Sequence, residues 1–576
     1  MRKISLALVC YFLLFFTFCS QPERAPEEVR VRLATDPETL SPVSYSNAGA
    51  LQIINLLFQS LLSADLATNE IKPFLAESMP TIERQDSITL FTYEIREEAE
   101  WTNGSPVTAE DVAFTLKVAK APLLNNEGLK PQLEFIRDIR IDAANPRRFT
   151  FVCAGYAPEM ELLTGDFFIL PAYLFDPENL LQHIQVADLS KEHSKLENDE
   201  KLKAFAAKFN SPEYGRDPNL LQGSGGYTLE NWENGKNLTL TRKKDWWGNN
   251  TSNTQHLTAN PQRVSFQVIP DITTALLALK NRQLDVLEGI PAAEFDQLKQ
   301  QEAFLKDYAL HTPDAYEFIY AGINTRSPKF SDKLTRQAIA HLLDAKSVMK
   351  ASHHNYAKLT AGLIPPSVSE YYHKELAPYS FNIEKAATLL KTAGWSREAD
   401  GWYKTIHGKR EQLSIEAIYR AGSSSHENAA IILQQNAAKL NIPVQVQGME
   451  GSLLASKSKQ HEFEIFYRSL SGNPFAFNFK PLLHTGYAGV GGINYTGFGT
   501  AESDSILNQI STTVTSKAEM ANLLKRLQEI MHEEAAFIPM YYIKERVAIH
   551  RRFTNTKVSG LSPNYDVSAF TLKEEE

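Results

Sequence analysis

Hydrophobic and polar positions divide the chain into one long apolar segment near its start and a body of shorter patterns. Arg2 and Lys3 precede a nearly continuous apolar run over residues 4–18. That run is shorter than the roughly 20 residues that a membrane-spanning helix needs, so it predicts a signal peptide over residues 1–18 and export of the chain. Later apolar runs are all too short to predict a membrane span.

The body mixes strand-like and helix-like patterns. Residues 31–33 and the aromatic and β-branched residues 91–95 predict strands. Thr108, followed three residues later by Asp111, resembles a capping box and predicts a helix that begins there. Asn382 predicts the start of another helix, whose apolar stripe would end at a glycine, as is common after a helix.

Residues 186–209 are rich in Lys, Glu, Asp and Ala. This composition predicts a solvated surface helix that is inserted into the fold. Together, the short strands and amphipathic helices predict a mixed α/β (α+β) protein of several lobes.

Length and charge narrow the class of protein. The 576 residues allow three or four domain-sized units, at about 150 residues each. The formal net charge is −9, and the Lys and Arg residues are scattered rather than massed. We therefore expect no nucleic-acid partner, because phosphate backbones are bound by concentrated positive charge.

The three cysteines extend the export prediction. Cys10 lies within the signal, and Cys19 follows the apolar run directly, ahead of a polar, proline-containing stretch. The arrangement resembles a bacterial lipoprotein signal, which implies an acylated Cys19 and a flexible tether over residues 19–29. Phe18 departs from the usual pattern, which has a small residue there, so an ordinary cleaved signal or an uncleaved anchor is the alternative. Cys153 would then be unpaired and is predicted to be a small buried hydrophobic residue.

No catalytic or metal-binding motif is evident. Residues 223–227 are glycine-rich but lack the Lys-Ser or Lys-Thr pair of a phosphate-binding loop, so they predict a tight turn between lobes. Gly-x-Ser-x-Gly and His-Glu-x-x-His are both absent. His353 and His354 supply at most one or two ligands, fewer than a metal site requires. We predict no cofactor, no metal and no enzymatic activity.

Several motifs, in order along the chain, resemble the extracellular solute-binding proteins of family five, which serve peptide, dipeptide and nickel uptake. The motif-bearing segments are residues 36–42, 58–62, 93–96 with 101–112, 223–227 with 242–248, 278–285, 336–339, 364–366 and 386–395. This resemblance covers nearly all of the predicted mature chain.

The resemblance implies a bilobed fold of the type II periplasmic-binding-protein kind, with an extra domain and a cleft that closes about a hinge. The implied division is a discontinuous lobe I over residues 30–62, 170–312 and 545–576, an extra domain II over residues 63–169, and a lobe III over residues 313–544. The implied partners are a small solute or peptide, the permease and ATPase of an ABC transporter, and the membrane through the N-terminal lipid. The protein would act as a monomer in the periplasm or cell envelope.

The implied cleft residues come from two segments. The first contains Tyr45, Ser46, Asn47 and Ala48, and the second contains Arg468, Ser469, Leu470, Ser471 and Asn473. Peptide receptors of the family carry an aspartate in the second segment that pairs with the α-ammonium of the ligand. Here Asn473 is the nearest polar side chain, and an unpaired buried ammonium costs roughly 3–5 kcal/mol. Another acid would have to replace that aspartate, and Glu450 is one candidate.

Three functions therefore compete. The leading one is a receptor for uptake, for an oligopeptide-like solute or for a non-peptide solute. The second is an orphan sensing lipoprotein that shares the fold but serves no transporter, because fold does not fix function. The third is an exported hydrolase with an unfamiliar active site.

Overall fold

The computed structural model describes residues 27–45, 47–66, 68–190, 193–251, 256–489, 492–514 and 516–573. The predicted signal peptide, Cys19 and Ser46 lie outside these residues. Regular structure begins at Glu28, so the predicted tether over residues 19–29 overlaps the first strand at its end. Val29, Val31 and Leu33 are buried and alternate with more exposed residues, which is the period expected of a strand.

The described residues contain twenty-four strands in six sheets. The strands are β1 Glu28–Leu33, β2 Leu62–Asp65, β3 Glu70–Pro73, β4 Thr81–Gln85, β5 Ile88–Glu94, β6 Ile136–Ile141, β7 Arg148–Ala154, β8 Tyr227–Glu233, β9 Asn237–Arg242, β10 Arg263–Val268, β11 Val286–Leu287, β12 Tyr308–His311, β13 Asp314–Ile323, β14 Ala357–Leu359, β15 Ser396–Glu398, β16 Gly401–Ile406, β17 Lys409–Gln412, β18 Ile415–Arg420, β19 Val444–Met449, β20 Ile465–Ser471, β21 Phe537–Lys544, β22 Val547–His550, β23 Phe553–Thr554 and β24 Thr571–Leu572.

The same residues contain eighteen α-helices and six short 3₁₀ helices. The α-helices are α1 Ala48–Leu57, α2 Ala109–Lys120, α3 Met160–Leu163, α4 Ala172–Phe175, α5 Val186–Leu189, α6 His193–Leu196, α7 Glu200–Phe209, α8 Ile272–Lys280, α9 Ala292–Leu298, α10 Glu302–Asp307, α11 Lys333–Ala340, α12 Ala345–His353, α13 Ile383–Thr392, α14 Ser424–Ala438, α15 Gly451–Lys459, α16 Lys480–Leu483, α17 Ala501–Thr512 and α18 Lys517–Glu534. The 3₁₀ helices are Lys130–Leu133, Pro212–Gly215, Trp247–Asn250, Pro328–Phe330, Thr485–Tyr487 and Val567–Ala569.

Three sheets organise the molecule. The part built on the seven-stranded sheet β12-β22-β11-β1-β10-β9-β8 is named lobe I, the part on the four-stranded sheet β4-β5-β7-β6 domain II, and the part on the six-stranded sheet β14-β21-β13-β20-β18-β19 lobe III. Apart from Glu28 and Val29, the strands of these sheets fall within the predicted ranges. The exact domain boundaries stay a prediction.

Capping explains where two of the predicted helices begin. The Thr108 backbone N–H donates to Asp111 Oδ2 at 2.9 Å and helix α2 begins at the next residue, which confirms the predicted start. Asn382 accepts the Lys385 N–H at 2.8 Å at the start of α13. Gly394 follows that helix with φ of +88°, a left-handed conformation that glycine adopts without strain.

The single surface helix predicted over residues 186–209 is wrong, because three short helices, α5, α6 and α7, occupy this stretch. Its polar composition conceals an apolar stripe: Leu202, Phe205 and Phe209 are buried. Phe205 packs edge-on against Phe114 of domain II, with the ring centroids 6.1 Å apart. Charged residues therefore cover only the outer face of α7.

Two short links join lobe I to lobe III. β12 ends at His311 and β13 begins at Asp314, while β21 ends at Lys544 and β22 begins at Val547. The Glu545 N–H donates to the Pro313 carbonyl at 3.0 Å, so the two links lie side by side. Adjacent short links of this kind are typical of a hinge between lobes.

Candidate functional site

A cavity of about 570 Å³ lies where the three parts of the molecule meet. Lobe I contributes residues from 42–60, 225–258 and 561–568, domain II contributes residues from 63–74, 128–132 and 162–168, and lobe III contributes Gly472, Asn473 and Phe475. Its size falls in the range of pockets that enclose small molecules. The cavity is therefore the candidate ligand site.

Close backbone packing fixes lobe I at the cavity wall. A Cβ atom on Gly225 would lie 2.4 Å from the Leu56 carbonyl of α1, and one on Gly223 would lie 2.3 Å from the Leu57 carbonyl. Only glycine permits such an approach. The predicted tight turn at residues 223–227 thus presses against the end of α1, and its Gly223 carbonyl also accepts the Thr102 hydroxyl of domain II at 3.1 Å.

Two of the predicted cleft residues line the cavity. Tyr45 does so from lobe I, with its ring 6.4 Å from that of Phe168 in an edge-on contact. Asn473 does so from lobe III, and its Oδ1 accepts the Phe475 N–H at 2.9 Å. The structure brings these two side chains to the same space, and their contact with a ligand stays a prediction.

The other predicted cleft residues have different surroundings. Asn47 caps α1 by accepting the Ala50 N–H at 2.8 Å, and Ala48 is the first residue of that helix. The Arg468 guanidinium lies 5.1 Å from the centre of the Tyr495 ring. None of these three lines the cavity, and neither do Ser469, Leu470 and Ser471.

Those last residues form an open edge of the lobe III sheet. All of β20 pairs with β13, whereas β18 pairs only with residues 465–467. Among the described strands, residues 468–471 therefore have no partner on the β18 side. This edge runs directly into Gly472 and Asn473 at the cavity wall. An edge of this type can add an extended peptide as a further strand.

Asp166 is the most distinctive acid in the cavity wall. Its side chain is exposed to solvent at the cavity wall, and partial desolvation by the surrounding protein raises its pKa to about 6. No described residue donates a hydrogen bond to it. Its charge in turn contributes, after burial, to the raised pKa of Tyr45.

Two further aspartates line the cavity but are bonded within the protein. Asp566 Oδ1 accepts the Ser568 N–H at 2.9 Å and the Ser568 hydroxyl at 2.6 Å. Burial raises the pKa of Asp566, and these bonds partly offset the rise. Asp65 accepts the Thr68 hydroxyl at 3.0 Å.

The structure does not bring Glu450, the candidate replacement for the missing acid, to the cavity wall. Its carboxylate accepts the Ser452 N–H at 2.7 Å, which makes it the N-terminal cap of α15. These bonds hold its pKa below the usual value, and it does not line the cavity. The sequence pattern instead missed Asp166, whose only signal is a charge between the apolar Leu162–Leu163 pair and Phe167–Phe168.

The histidine pair and the cysteine considered in the sequence analysis contact other parts of the fold or are buried in it. His353 Nε2 lies 3.0 Å from the Ser425 hydroxyl, and His354 Nδ1 lies 2.7 Å from Asp296 Oδ2, so the adjacent histidines face different partners. Across the described residues, no three His, Cys, Asp or Glu side chains are grouped closely enough to hold a metal ion. Cys153 is fully buried in β7, as predicted, and burial raises its pKa to about 12.

None of the described helices combines the length and the hydrophobicity that crossing a bilayer requires.

The chain is similar to known proteins over most of its length. Residues 70–488 match the family model described as "Bacterial extracellular solute-binding proteins, family 5 Middle". Among curated relatives, the oligopeptide-binding protein AppA of Bacillus subtilis is 21% identical over 93% of this chain and 90% of its own length. The nickel-binding periplasmic protein of Escherichia coli is 22% identical over 91% and 90%.

Solved structures share the fold at a similarly low sequence identity. AppA from Bacillus subtilis in complex with a nonapeptide superposes with a TM-score of 0.70 and 19% identity, covering 95% of this chain and 99% of that one. NikA from Brucella suis in complex with Fe(III)-EDTA gives a TM-score of 0.74 and 19% identity over 95% and 100%. The predicted fold class, a mixed α/β bilobed protein, is confirmed.

Proposed function

Because the chain belongs to the bacterial extracellular solute-binding proteins of family 5, we propose that it captures a solute between its lobes for an ABC uptake transporter. The observation that carries this proposal is the cavity whose wall is shared by lobe I, domain II and lobe III. Closure about the two side-by-side links would complete that wall and exclude water from the solute. The closed form would then deliver the solute to the permease and its ATPase.

The proposed solute is oligopeptide-like. The open edge of β20 at residues 468–471 offers backbone donors and acceptors beside the cavity, and main-chain pairing of this kind binds peptides with little regard to side chain. Relatives named for oligopeptides and for nickel both occur. The peptide is favoured because no metal-binding group is present in the described part of the chain.

One contact supports closure of domain II onto lobe III. The Glu159 carboxyl group of domain II lies near the Asn478 side chain and the backbone of Phe477 and Asn478 in lobe III. Burial raises the pKa of Glu159, and these neighbouring polar groups counteract the rise. Such a contact would hold the lobes together around a captured solute.

The proposed location is the cell envelope, with the chain anchored by acylation of Cys19. The hydrophobic run, Cys19 and the polar stretch after it carry this part of the proposal. Substituting Cys19→Ser is expected to move the protein from the membrane fraction to the soluble fraction. Retention of Cys19→Ser in the membrane fraction would favour the uncleaved anchor.

Mass spectrometry of the molecule that copurifies with the gently extracted protein tests the function. We expect a peptide-class mass with the wild type and none with Asn473→Trp, because the larger ring fills the cavity. Asn508→Trp is the matched control, since Asn508 is exposed on α17, and it should retain the solute. Loss from both variants, or a copurifying molecule that the wild type converts to product, would contradict a receptor function. Capture with no effect of permease deletion on uptake would favour the sensing lipoprotein.

A further inference from the structure

The charged side chains of the cavity wall are all acidic. Its charged side chains are Asp65, Asp166 and Asp566, and none of the described lining residues is a lysine or an arginine. His256 is the one histidine among them, and its Nε2 lies 2.9 Å from the Pro73 carbonyl. A ligand carboxylate or an anionic chelate would therefore meet negative potential without a cationic partner.

The three acids differ in the hydrogen bonds that they accept from the protein. Asp566 and Asp65 each accept bonds from nearby residues of their own turns, so part of their capacity is used by the fold. Asp166 receives no hydrogen bond or ion pair from any described residue. Its carboxylate is exposed at the cavity wall and is therefore available to a donor group of a ligand that enters the cavity.

The backbone holds Asp166 in a fixed position. The Leu62 N–H donates to the Gly165 carbonyl at 2.9 Å, and a Cβ atom on Gly165 would lie 2.4 Å from the Leu62 side chain. On the other side, Phe168 forms a bridge with Ser60. The backbone at Asp166 is therefore fixed before a ligand binds, which lowers the entropy lost when its carboxylate meets a ligand group.

The surroundings of Asp166 suit a cation on an organic stem. The Tyr45 and Phe168 rings contact each other beside it, and aromatic faces attract ammonium groups. A second acceptor in the same wall also lacks a partner, because Gln59 is 6% exposed and its Oε1 receives no hydrogen bond from the described residues. Both unsatisfied groups are acceptors, so the complementary ligand group is a donor.

We infer that this cavity selects a cationic solute, whose ammonium group is bound by the Asp166 carboxylate beside the Tyr45 and Phe168 rings. The inference rests on the proposed function and names the charge class of its solute. The acid that is absent beside Asn473 in lobe III is thereby replaced from domain II. A peptide would enter with its amino group directed toward domain II, and anionic chelates would be excluded.

Calorimetry with four tetraalanine probes tests this inference on the full chain. The probes are the peptide amide with a free amino group, the unmodified peptide, the doubly blocked peptide and the N-acetylated acid, which differ mainly in charge. Affinity should fall in that order. Fe(III)-EDTA should not bind.

The decisive variant is Asp166→Asn, which keeps the shape of the side chain and removes its charge. It should weaken binding of the amide with a free amino group about ten- to a hundredfold, as expected for loss of a charge-assisted hydrogen bond. Binding of the doubly blocked peptide should change by about twofold or less. Asp86→Asn is the control, because Asp86 is exposed in the turn between β4 and β5 with φ of +36°, a region that asparagine tolerates.

If none of the four peptides binds, the charge of the copurified solute decides whether the inference holds. A cationic solute that is lost from Asp166→Asn and kept by Asp86→Asn supports the inference. An anionic solute, or one that Asp166→Asn retains at unchanged affinity, overturns it and leaves the receptor function intact. If neither calorimetry nor copurification detects a solute, both the inference and the receptor function are overturned.

Discussion

Two aspartates have opposite surroundings: Asp285 is buried in lobe I, whereas Asp166 is exposed to solvent at the cavity wall. Asp285 is 0% exposed and accepts the Arg30 N–H at 2.9 Å and two bonds from the Arg552 guanidinium at 3.0 and 3.1 Å. Asp166 has no such partner among the described residues. The protein thus neutralises the acid that ties β1 and β11 to the segment after β22, and leaves unpaired the acid that faces the cavity.

The largest expected effect comes from removing the paired acid. Asp285→Ala should lower the free energy of unfolding of lobe I by about 3–5 kcal/mol, because Arg30 and Arg552 would lose a buried partner. Urea unfolding measures this loss. Asp307→Ala is the matched control in the same lobe, since its pairing with Arg282 is near the surface and contributes about 1 kcal/mol or less. Equal losses in the two variants would remove the basis of the comparison.

An intermediate effect is expected at Asp566, which lines the cavity but is bonded like a structural acid. Asp566→Ala should cost about 1–2 kcal/mol of unfolding free energy through loss of the two Ser568 bonds. The double variant with Ser568→Ala should cost less than the sum of the single ones, because both remove one shared interaction. Strict additivity would show that Asp566 acts independently of Ser568.

The smallest effect on stability is expected at Asp166, and it has the opposite sign. Folding raises the pKa of this carboxyl group to about 6, so the folded state holds the proton more tightly than the unfolded state. The stability that protonation provides is present at low pH and is lost as pH rises through 6. Asp166→Asn should therefore be more stable than the wild type at pH 8, by at most about 1 kcal/mol, and this advantage should vanish near pH 4.

Thermal unfolding of both proteins between pH 4 and 8 measures this difference. The other ionisable residues of the wall, Tyr45, Asp65, Asp566 and His256, are present in both proteins, so the difference between the two curves reports on Asp166. A wild type that exceeds Asp166→Asn in stability at pH 8 without ligand would mean that Asp166 has a structural partner.

Local sequence signals predict a helix boundary well where a single capping interaction determines where the helix begins. Thr108 with Asp111, and Asn382, each satisfy a backbone N–H at a helix start, so the residues alone predict the boundary. The order of family motifs predicted the bilobed fold. Residues 186–209 were misjudged because the polar composition outweighed the spacing of Leu202, Phe205 and Phe209.

The candidate site was less predictable because its wall is assembled from separated segments. The family pattern predicts both Tyr45 and Asn473, which line the cavity although more than 400 residues separate them in sequence. Asp166 lies in no recognisable motif. Its proposed role depends on the absence of a hydrogen bond from any described residue. Glu450 was a reasonable candidate by charge, yet a local cap at Ser452 occupies it. Absence of a partner is visible only in three dimensions.

The hydrogen bond between Glu545 and Pro313 has a consequence for recombination between related genes. Because the two links are adjacent, lobe III is one continuous stretch whose ends nearly meet. Two crossovers at these links would exchange the complete β20 edge while keeping Asp166 and the parts of the cavity wall from lobe I and domain II in the recipient. Peptide pairing and charge selection could thus be inherited separately, and chimeric genes built at these two points would combine the edge of one receptor with the acid of another.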